Sequence, residues 1–427
     1  MKVLFVTPVE VGSGETITTL HMAENIVRDG GKVLFLASTF ASSFIKKQFP
    51  CECNELMDDG TRNREIWDSA ISTFQPDVVV FADYPLLFFK SGVSPILNMD
   101  EWVKSLEELD ICLVTLDHTG FAQRSQGLFF GPPHLSFNYE KIPAIPERMH
   151  ILLPCPMHEP TGSGELKGYP FRYWEVPLKV GKKQRQKIRR HYLGNEDNYM
   201  IFHSAARWAW ETAESFGIPY YQFLPKILEY YFSDMPKPVT IVSVNNSELL
   251  KQSNVSNLRF INVKNLPKNE YEELLFSSDL MLTENKISIT LGKVICSTLL
   301  PCVVLKNSYR FRELLGWIEN GELRQIVKTL ENIRAGSVYP YDIFPGGMKD
   351  EIQQLGLYQE NSITKGFKEL EIYGGEETRY ALRALLTEQA ERDAVRAHQN
   401  TYVENLKNLE DAKGILKRVI ETNRSDR

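Results

Sequence analysis

The sequence predicts an α/β protein built from two doubly wound parallel sheets. The first observation is a strand–loop–helix–strand series at the start of the chain. It combines an apolar run at Lys2–Thr7, helically spaced apolar residues over 17–27 and a second apolar run at Lys32–Ala37. Such a βαβ unit requires parallel strands joined by a right-handed crossover. The second observation is that the same alternation begins again at Tyr199.

The first half is expected to contain three more buried strands, at 76–83, 110–118 and 149–153. The first two of these carry an acidic residue at or next to the carboxyl end. After a proline-rich stretch, seven of the twelve residues in Lys179–Arg190 are basic. This composition predicts a solvated linker helix between the two halves.

The second half repeats the pattern, with strands separated by helices. A helix is expected over 216–232, broken or kinked near Pro219 and Pro225, and the last helical region over 376–421. The remaining elements are strands at 199–203, 239–244, 258–263, 280–283 and 302–305, and helices at 270–276 and 286–297.

The chain length of 427 residues fits two domains rather than one. We expect an N-terminal domain over 1–185, a C-terminal domain over 186–400, and a last helix over 401–427 that crosses back to the first domain. Ligands of such sheets bind at the carboxyl ends of strands, beside helix N-termini. Two halves facing each other would create a cleft, where the chemistry is expected.

Composition excludes several classes of protein. A net charge of −6 gives no support to a duplex-DNA binder with a wide basic surface. The apolar runs are too short to span a bilayer, and the first residues lack the pattern of a secretory signal. The six cysteines are sparse and irregularly spaced, which predicts reduced thiols and a cytoplasmic location.

The glycine loop after the first strand contains Gly12, Ser13, Gly14 and Glu15. It is not a phosphate-binding P-loop, because that motif needs lysine where Glu15 stands and glycine where Val9 stands. A dinucleotide G-x-G-x-x-G fingerprint is absent as well. The loop therefore either brings backbone and one carboxylate into the cleft or forms a plain turn.

Three candidate catalytic residues lie where strands of the first half end: Asp83, Asp117 and His118. A histidine there can act as a general base near neutral pH, because its ordinary pKa is about 6.5. Asp117 is a poor orienting partner for His118, since neighbouring strand residues point to opposite faces. The alternative is structural, with helix-capping aspartates and a hydrogen-bonded loop histidine.

Two loops of the second half are candidates for anion binding. Ser204 to Arg207 combines small residues, which allow close approach of a ligand, with a cation that can pair with a phosphate. In 283–288, a helix N-terminus offers free amides, and Lys286 and Ser288 add a charge and a hydroxyl. The plain alternatives are an exposed arginine in an ordinary loop and a helix N-capped by Asn285.

The sequence contains no motif that indicates metal or cofactor chemistry. No Asp-x-Asp pair and no His-Glu-x-x-His motif occurs in the chain. We therefore expect neither a metal ion nor an organic cofactor.

Taken in order, these patterns resemble the GT-B glycosyltransferases. Four stretches of the sequence carry the resemblance. They are Val3–Val27 with its Gly12-Ser13-Gly14 loop; the basic Arg185–Gly194 followed by Tyr199–His203; Leu258–Val263 with Glu270–Leu275 and Ser278–Thr283; and the closing helices from Ala381 to Val419.

The resemblance implies that the first half binds an acceptor and the second half binds a nucleotide-diphospho-sugar. Gly12 to Glu15 and Asp117 would border the acceptor, and the base would be His118, Glu15 or Asp83, in that order. The implied donor-binding residues are Ser204, Arg207, Val263, Asn265, Glu284, Asn285, Lys286, Ser288 and Asp342. Within this set, 263–266 would face the nucleobase, 285–288 would hold the diphosphate and Asp342 would contact a sugar hydroxyl. Asp342 lies in a Pro-Gly-Gly segment that is equally compatible with a packed turn.

The sequence departs from the family at the diphosphate helix. Many members have a Gly-Gly pair there and a glutamate within the helix that holds the ribose, whereas this chain has Lys286 to Ser288 and Val294. The sequence therefore does not predict which nucleotide the donor carries. The expected activity is metal-independent sugar transfer to a small or medium acceptor, with a nucleotide or a nucleic-acid base also possible as acceptor. A sugar-nucleotide epimerase and a catalytically inactive binding protein are the alternatives.

Overall fold

The computed structural model describes residues 1–8, 14–57, 60–84, 87, 105–118, 129–130, 137–138, 144–160, 167–176, 182–215, 217–244, 253, 255–264, 266–286, 288–309, 311–319, 321–335 and 361–425. The chain divides into two compact units. The first comprises Met1–Glu175, Gln359–Asn361 and Asn405–Arg427, and the second comprises Val176–Tyr358 and Ser362–Glu404.

The first unit is a parallel sheet with helices. Its strands are β1 (Lys2–Thr7), β2 (Lys32–Ser38), β3 (Glu52–Leu56), β4 (Val78–Phe81), β5 (Cys112–Leu116), β8 (Met149–Cys155) and β9 (Tyr169–Arg172), with a separate two-stranded pair, β6 (Phe129–Phe130) and β7 (Phe137–Asn138). Its helices are α1 (Gly14–Arg28), α2 (Thr39–Gln48), α3 (Gly60–Phe74) and, from the end of the chain, α13 (Ala412–Ser425).

The seven-stranded sheet has the order β3-β2-β1-β4-β5-β8-β9, and all its pairings are parallel. Val3 to Val6 of the central strand β1 are completely buried, as expected for a strand covered on both faces. Helix α1 ends at Arg28, and Gly30 just beyond it has a φ of 82°, the left-handed conformation that glycine adopts without strain. On one face, Trp67 of α3 stacks on Phe81 of β4, with ring centroids 6.5 Å apart.

The second unit has the same architecture. Its strands are β10 (Tyr199–Ser204), β11 (Val239–Val244), β12 (Leu258–Val263), β13 (Leu280–Thr283), β14 (Cys302–Lys306) and β15 (Lys368–Glu371). Its helices are α4 (Lys182–Leu193), α5 (Arg207–Ser215), α6 (Tyr220–Phe232), α7 (Lys268–Ser277), α8 (Ile289–Ser297), α9 (Phe311–Trp317), α10 (Gly321–Ile333), α11 (Gly375–Thr387) and α12 (Gln389–Lys407), and Ser362–Gly366 forms a 3₁₀ turn.

The second sheet has the order β12-β11-β10-β13-β14-β15, again with parallel pairings throughout. The chain enters at the central strand β10, moves to one edge through β11 and β12, and returns to the other side at β13. This reversal places β10 and β13 side by side at the switch point, where ligands of such sheets bind. All five strands predicted for this half are confirmed.

Helix α4 is held against its unit more firmly than a solvated linker would be. The guanidinium of Arg189 is 9% exposed and donates to both carboxylate oxygens of Asp279, each at 3.0 Å. It also donates to the backbone oxygens of Ser277, Glu196 and Asn198. Asp279 in turn accepts from the backbone N–H of Met200 at 2.9 Å and also pairs with Arg185 of α4 at 3.1 Å, so a partly buried ion-pair group joins α4 to the start of β10 and β13. The prediction of a solvated helix is wrong at Arg189.

Two helix predictions of the second half need correction. The helix predicted over 216–232 begins at Tyr220, directly after Pro219, and a separate helix α5 ends at Ser215. Asn285 is not the N-cap of the next helix, because α8 begins only at Ile289 with Ser288 in the cap position. The backbone N–H of Asn285 instead donates to the hydroxyl of Thr283 at 3.0 Å, ahead of the helix.

The end of the chain belongs to the first unit. The predicted apolar positions Ile415, Leu416 and Val419 of α13 are fully buried. Arg172 of β9 donates its backbone N–H to the carbonyl of Glu410 at 3.0 Å, which extends the edge of the sheet into the segment before α13. Among the described residues, no helix combines the length and apolar character needed to cross a membrane.

Candidate functional site

The carboxyl edge of the second sheet gathers polar side chains from four neighbouring strands. Ser243 lies near the end of β11, His203 and Ser204 at the end of β10, and Glu284 just after β13. Lys306 ends β14. Parallel strands bring these positions to one edge although they are far apart in sequence.

A buried chain of hydrogen bonds crosses this edge. His203 Nδ1 lies 3.0 Å from Ser243 Oγ, and His203 Nε2 lies 3.2 and 3.3 Å from the two carboxylate oxygens of Glu284. All three residues are at most 1% exposed. A carboxylate only accepts hydrogen bonds, so Nε2 donates to Glu284, and Nδ1 is bonded to the Ser243 hydroxyl, which can donate or accept. We call this arrangement the Ser243–His203–Glu284 chain.

The turn after β13 is tied to the end of β10. The Thr283 hydroxyl donates to the carbonyl of Ser204 at 2.7 Å and accepts from the backbone N–H of Asn285 at 3.0 Å. Glu284 and Asn285 are buried, whereas Lys286 and Ser288 are partly exposed. The backbone is thereby fixed where it turns toward the N-terminus of α8, whose free amides favour an anion.

Lys286 lies within an ion-pair group that the sequence did not predict. Its Nζ contacts one carboxylate oxygen of Glu369 on β15, and Lys306 Nζ lies 3.1 Å from the other oxygen. Burial acts to raise the pKa of Glu369, but the two ammonium groups outweigh it and hold that pKa below its usual range. Glu369 is therefore ionised at neutral pH.

Several predicted donor residues are not part of this group of polar side chains, or they lie outside the described residues. Val263 ends β12, the edge strand beyond β11, and Arg207 is the first residue of α5. Asn265 and Asp342 lie outside the described residues, as do Gly12 and Ser13 on the acceptor side. Gly14 is the first residue of α1.

The carboxyl edge of the first sheet brings together the other predicted residues. Glu15 is in the first turn of α1 after β1, Asp83 follows β4, and Asp117 and His118 follow β5. A residue that the sequence reading missed, His158, follows the next strand, β8. Its ring nitrogen bonds the backbone carbonyl of Asp117, which ties the ends of β5 and β8 together.

Burial changes the acid–base character of this edge. His118 is 6% exposed, and neither of its ring nitrogens has a hydrogen-bond partner within the described part of the chain. Burial, helped by the nearby His158, lowers the pKa of His118 to about 3. Burial also raises the pKa of Glu15, against a smaller opposing effect of its own backbone N–H. The pKa of His118 therefore lies well below the ordinary histidine value on which its choice as base rests.

Two further observations concern metal ligands and cysteines. Among the residues that the structure describes, no three His, Cys, Asp or Glu side chains are grouped as metal ligands would be. The six cysteines, all of which are described, are free thiols.

The sequence over 22–423 matches the model of the DUF6365 family, described as a family of unknown function. The chain belongs to the DUF6365 family. No curated protein matches this DUF6365 chain in sequence.

Solved structures resemble the DUF6365 chain at the level of the fold. Spinosyn forosaminyltransferase SpnP has a TM-score of 0.54 at 12% identity, with 99% of each chain covered. Glycosyltransferase VinC, solved in complex with DTDP, has a TM-score of 0.52 at 11% identity, with 100% of each chain covered. A candidate UDP-N-acetylglucosamine 2-epimerase from Listeria monocytogenes has a TM-score of 0.54 at 12% identity, covering 97% of this chain and 94% of its own.

These similarities confirm the predicted fold. The two parallel sheets with flanking helices match GT-B structures over nearly the whole chain, and the low identity makes the DUF6365 chain a divergent member of that fold.

Proposed function

We propose that this chain transfers a sugar from a nucleotide-diphospho-sugar to a small or medium acceptor, without a metal ion. The donor binds at the carboxyl edge of the second sheet and the acceptor at the carboxyl edge of the first. The observation that carries the proposal is the Ser243–His203–Glu284 chain, which lies beside the turn leading into α8.

The Ser243–His203–Glu284 chain is difficult to explain by folding alone. Three polar side chains buried at the end of a sheet cost desolvation free energy, and apolar residues of similar volume pack there as well or better. Hydrogen-bonded buried networks do fix side chains in one orientation. Fixed in this way at the switch point, the Ser243–His203–Glu284 chain holds the end of β10 and the segment after β13 in one arrangement beside the proposed donor site.

The departing nucleoside diphosphate needs positive charge at the same edge. The amides at the N-terminus of α8 and the ammonium group of Lys286 supply it, with Ser288 adding a hydroxyl. Ser204, Arg207 and the backbone at 263–265 complete the proposed donor site. The fold supports this assignment, because proteins of the same fold are sugar transferases and the structure of one of them was solved with DTDP.

The acceptor must lose a proton, and Glu15 suits this step better than His118. A general base works best when its pKa lies near the working pH. Burial raises the pKa of Glu15 above its usual range and lowers the pKa of His118 to about 3. We therefore place Glu15 first as base, with His118 and Asp83 after it, and Gly12 to Gly14 and Asp117 beside the acceptor.

The epimerase alternative has its own support, because one structure of the same fold is a candidate UDP-N-acetylglucosamine 2-epimerase. An epimerase would convert a nucleotide-sugar with no second substrate. A catalytically inactive binding protein would bind nucleotide without turnover. The three functions therefore predict different outcomes when the protein is incubated with a single nucleotide-sugar.

The test begins with a thermal-shift screen of nucleoside diphosphates, since a ligand at 100 times its Kd adds about 2.7 kcal/mol of stability. Nucleotide-sugars of the nucleotides that bind are then incubated with and without a panel of hydroxyl acceptors. Release of nucleoside diphosphate that depends on an acceptor supports transfer. Conversion without acceptor supports epimerisation, and binding without turnover supports the inactive protein.

The matched variants are Glu284→Gln and Glu391→Gln. Both remove one carboxylate from the second unit, but Glu391 is a half-exposed residue of α12 paired with Lys368. Loss of the charged hydrogen bond between Glu284 and His203 should loosen this arrangement and weaken donor binding or turnover about 10- to 100-fold in Glu284→Gln. The Glu391→Gln variant should behave as the wild type. Equal behaviour of both folded variants would remove Glu284 from the donor site.

A further inference from the structure

Two lysines and two glutamates from β14, β15 and the segment after β13 form a row of ion pairs. Glu369 lies between Lys286 and Lys306 and pairs with one through each oxygen. Lys306 Nζ also lies 3.7 Å from Glu371, which accepts the backbone N–H of Ser308 at 2.9 Å. We call these four residues the lysine–glutamate cluster.

The cluster is open enough for a ligand to reach. Its four side chains are 19–26% exposed, and Lys286 Nζ lies 5.9 Å from the centre of the Phe367 ring. The two positive and two negative charges cancel, so the cluster is neutral as it stands. Ion pairs of this exposure add little to folding stability. Backbone pairing already joins β14 to β15, so the cluster is not needed to hold the strands together.

We propose that Lys286 and Lys306 together bind the diphosphate of the donor, and that Glu369 is the counter-ion that the diphosphate displaces. This inference rests on the proposed function and extends it to Lys306 and Glu369, neither of which the sequence predicted. Glu369 presents two oxygens to the two lysines, as two phosphoryl groups would. The N-terminus of α8 lies three residues after Lys286 and favours an anion at the same place.

Glu369 acts as a competitor in this arrangement and sets the selectivity of the site. A diphosphate carries more charge and more acceptor oxygens than one carboxylate, so it can replace Glu369 at both ammonium groups. A singly charged anion gains less from the exchange. Removal of the Glu369 charge should therefore tighten binding of a diphosphate, whereas removal of a lysine should weaken it.

The test is calorimetric titration of the full-length protein with inorganic pyrophosphate, UDP and TDP. Glu369→Gln should bind at least one of these probes about three- to tenfold more tightly than the wild type, as expected for one partly exposed charge at ion-pair distance. Lys306→Gln should bind about three- to tenfold more weakly. Both effects should shrink as salt is added. Glu391→Gln is the matched control, because it removes the same charge from the 3.4 Å pair with Lys368.

The outcomes separate this inference from the proposed function. Tighter binding by Glu369→Gln alone, with weaker binding by Lys306→Gln, supports the inference whether or not the protein transfers sugar. Unchanged or weaker binding by a folded Glu369→Gln overturns the inference, even if acceptor-dependent transfer is found. An equal gain in Glu391→Gln, or no binding of any probe by wild type and Glu369→Gln, also overturns it.

Discussion

Replacement of His118 by asparagine should remove part of the pH dependence of folding stability. The imidazole is 6% exposed and its pKa in the folded protein is about 3, compared with 6.5 for the ordinary side chain. The folded pKa is depressed, so the unfolded chain binds more protons between these two values. Stability from the neutral imidazole is therefore present above the ordinary pKa and is lost as the pH falls toward 3.

The size of this effect follows from the two pKa values. At about pH 5, an unfolded-state imidazole is almost fully protonated while buried His118 stays neutral, which costs the folded state about 2 kcal/mol. At about pH 7.5 the corresponding cost is close to zero. Lowering the pH across this range should therefore destabilise the wild type by about 2 kcal/mol more than His118→Asn.

Urea unfolding, followed by circular dichroism at both pH values, measures this difference. Other titrating groups are shared by wild type and variant, so their contributions cancel in the comparison. His191→Gln, a substitution at an exposed position of α4, serves as the control for the loss of an imidazole. If His118→Asn and wild type lose the same stability at acid pH, His118 is not the buried neutral group described here.

Three further predictions concern the base, the linker helix and the leaving group. Glu15→Gln should lower turnover about 10²- to 10⁴-fold, whereas His118→Ala should stay within about tenfold of the wild type; the reverse result returns the role to His118. Arg189→Ala should cost about 1–3 kcal/mol in urea unfolding because it removes the hydrogen bonds of the guanidinium to Asp279 and to three backbone oxygens, although Arg185 still pairs with Asp279. Arg190→Ala, at a side chain 70% exposed, should change stability little, and equal losses would contradict the special role of Arg189. Turnover should survive EDTA, and activity that is lost in EDTA and restored by magnesium or manganese would show that a metal ion carries the diphosphate charge.

The central strands of both sheets could be predicted because they are short apolar runs. Val78–Phe81 and Cys112–Leu116 are completely buried or nearly so, and their sequences show it. The edge strands β3 and β15 could not, because Glu52–Leu56 and Lys368–Glu371 are partly exposed and rich in charged residues. Such sequences protect a sheet edge, but they carry neither an apolar run nor a clear alternation.

Some residues of the candidate sites could also be predicted from sequence, and others could not. Residues that directly follow a strand, such as His118 and Lys286, could be proposed from sequence because parallel strands end at one edge. His203 and Ser243 lie inside apolar strands, and their contact depends on the register of β10 against β11. Lys306 and Glu369 are separated by 62 residues, the described part of which contains α9 and α10, so no local pattern indicates that they pair.

The positions of the two candidate bases could be predicted from sequence, but their pKa values could not. The positions of His118 and Glu15 follow from the strand order, but their pKa values depend on burial. Burial is a property of the packed molecule, and it disfavours the charged form of both side chains. The order of the two candidate bases therefore changed once the fold was described.

The location of the donor site is the central claim, and hydrogen–deuterium exchange with and without a bound nucleoside diphosphate tests it most directly. TDP and UDP should each be tried at saturating concentration on the full-length protein. Binding at the carboxyl edge of the second sheet predicts slower exchange of backbone amides at 204–207, 263–266 and 284–290, with the amino ends of the same strands unchanged. Slower exchange confined to the first unit, or no change with any nucleoside diphosphate, would contradict the claim.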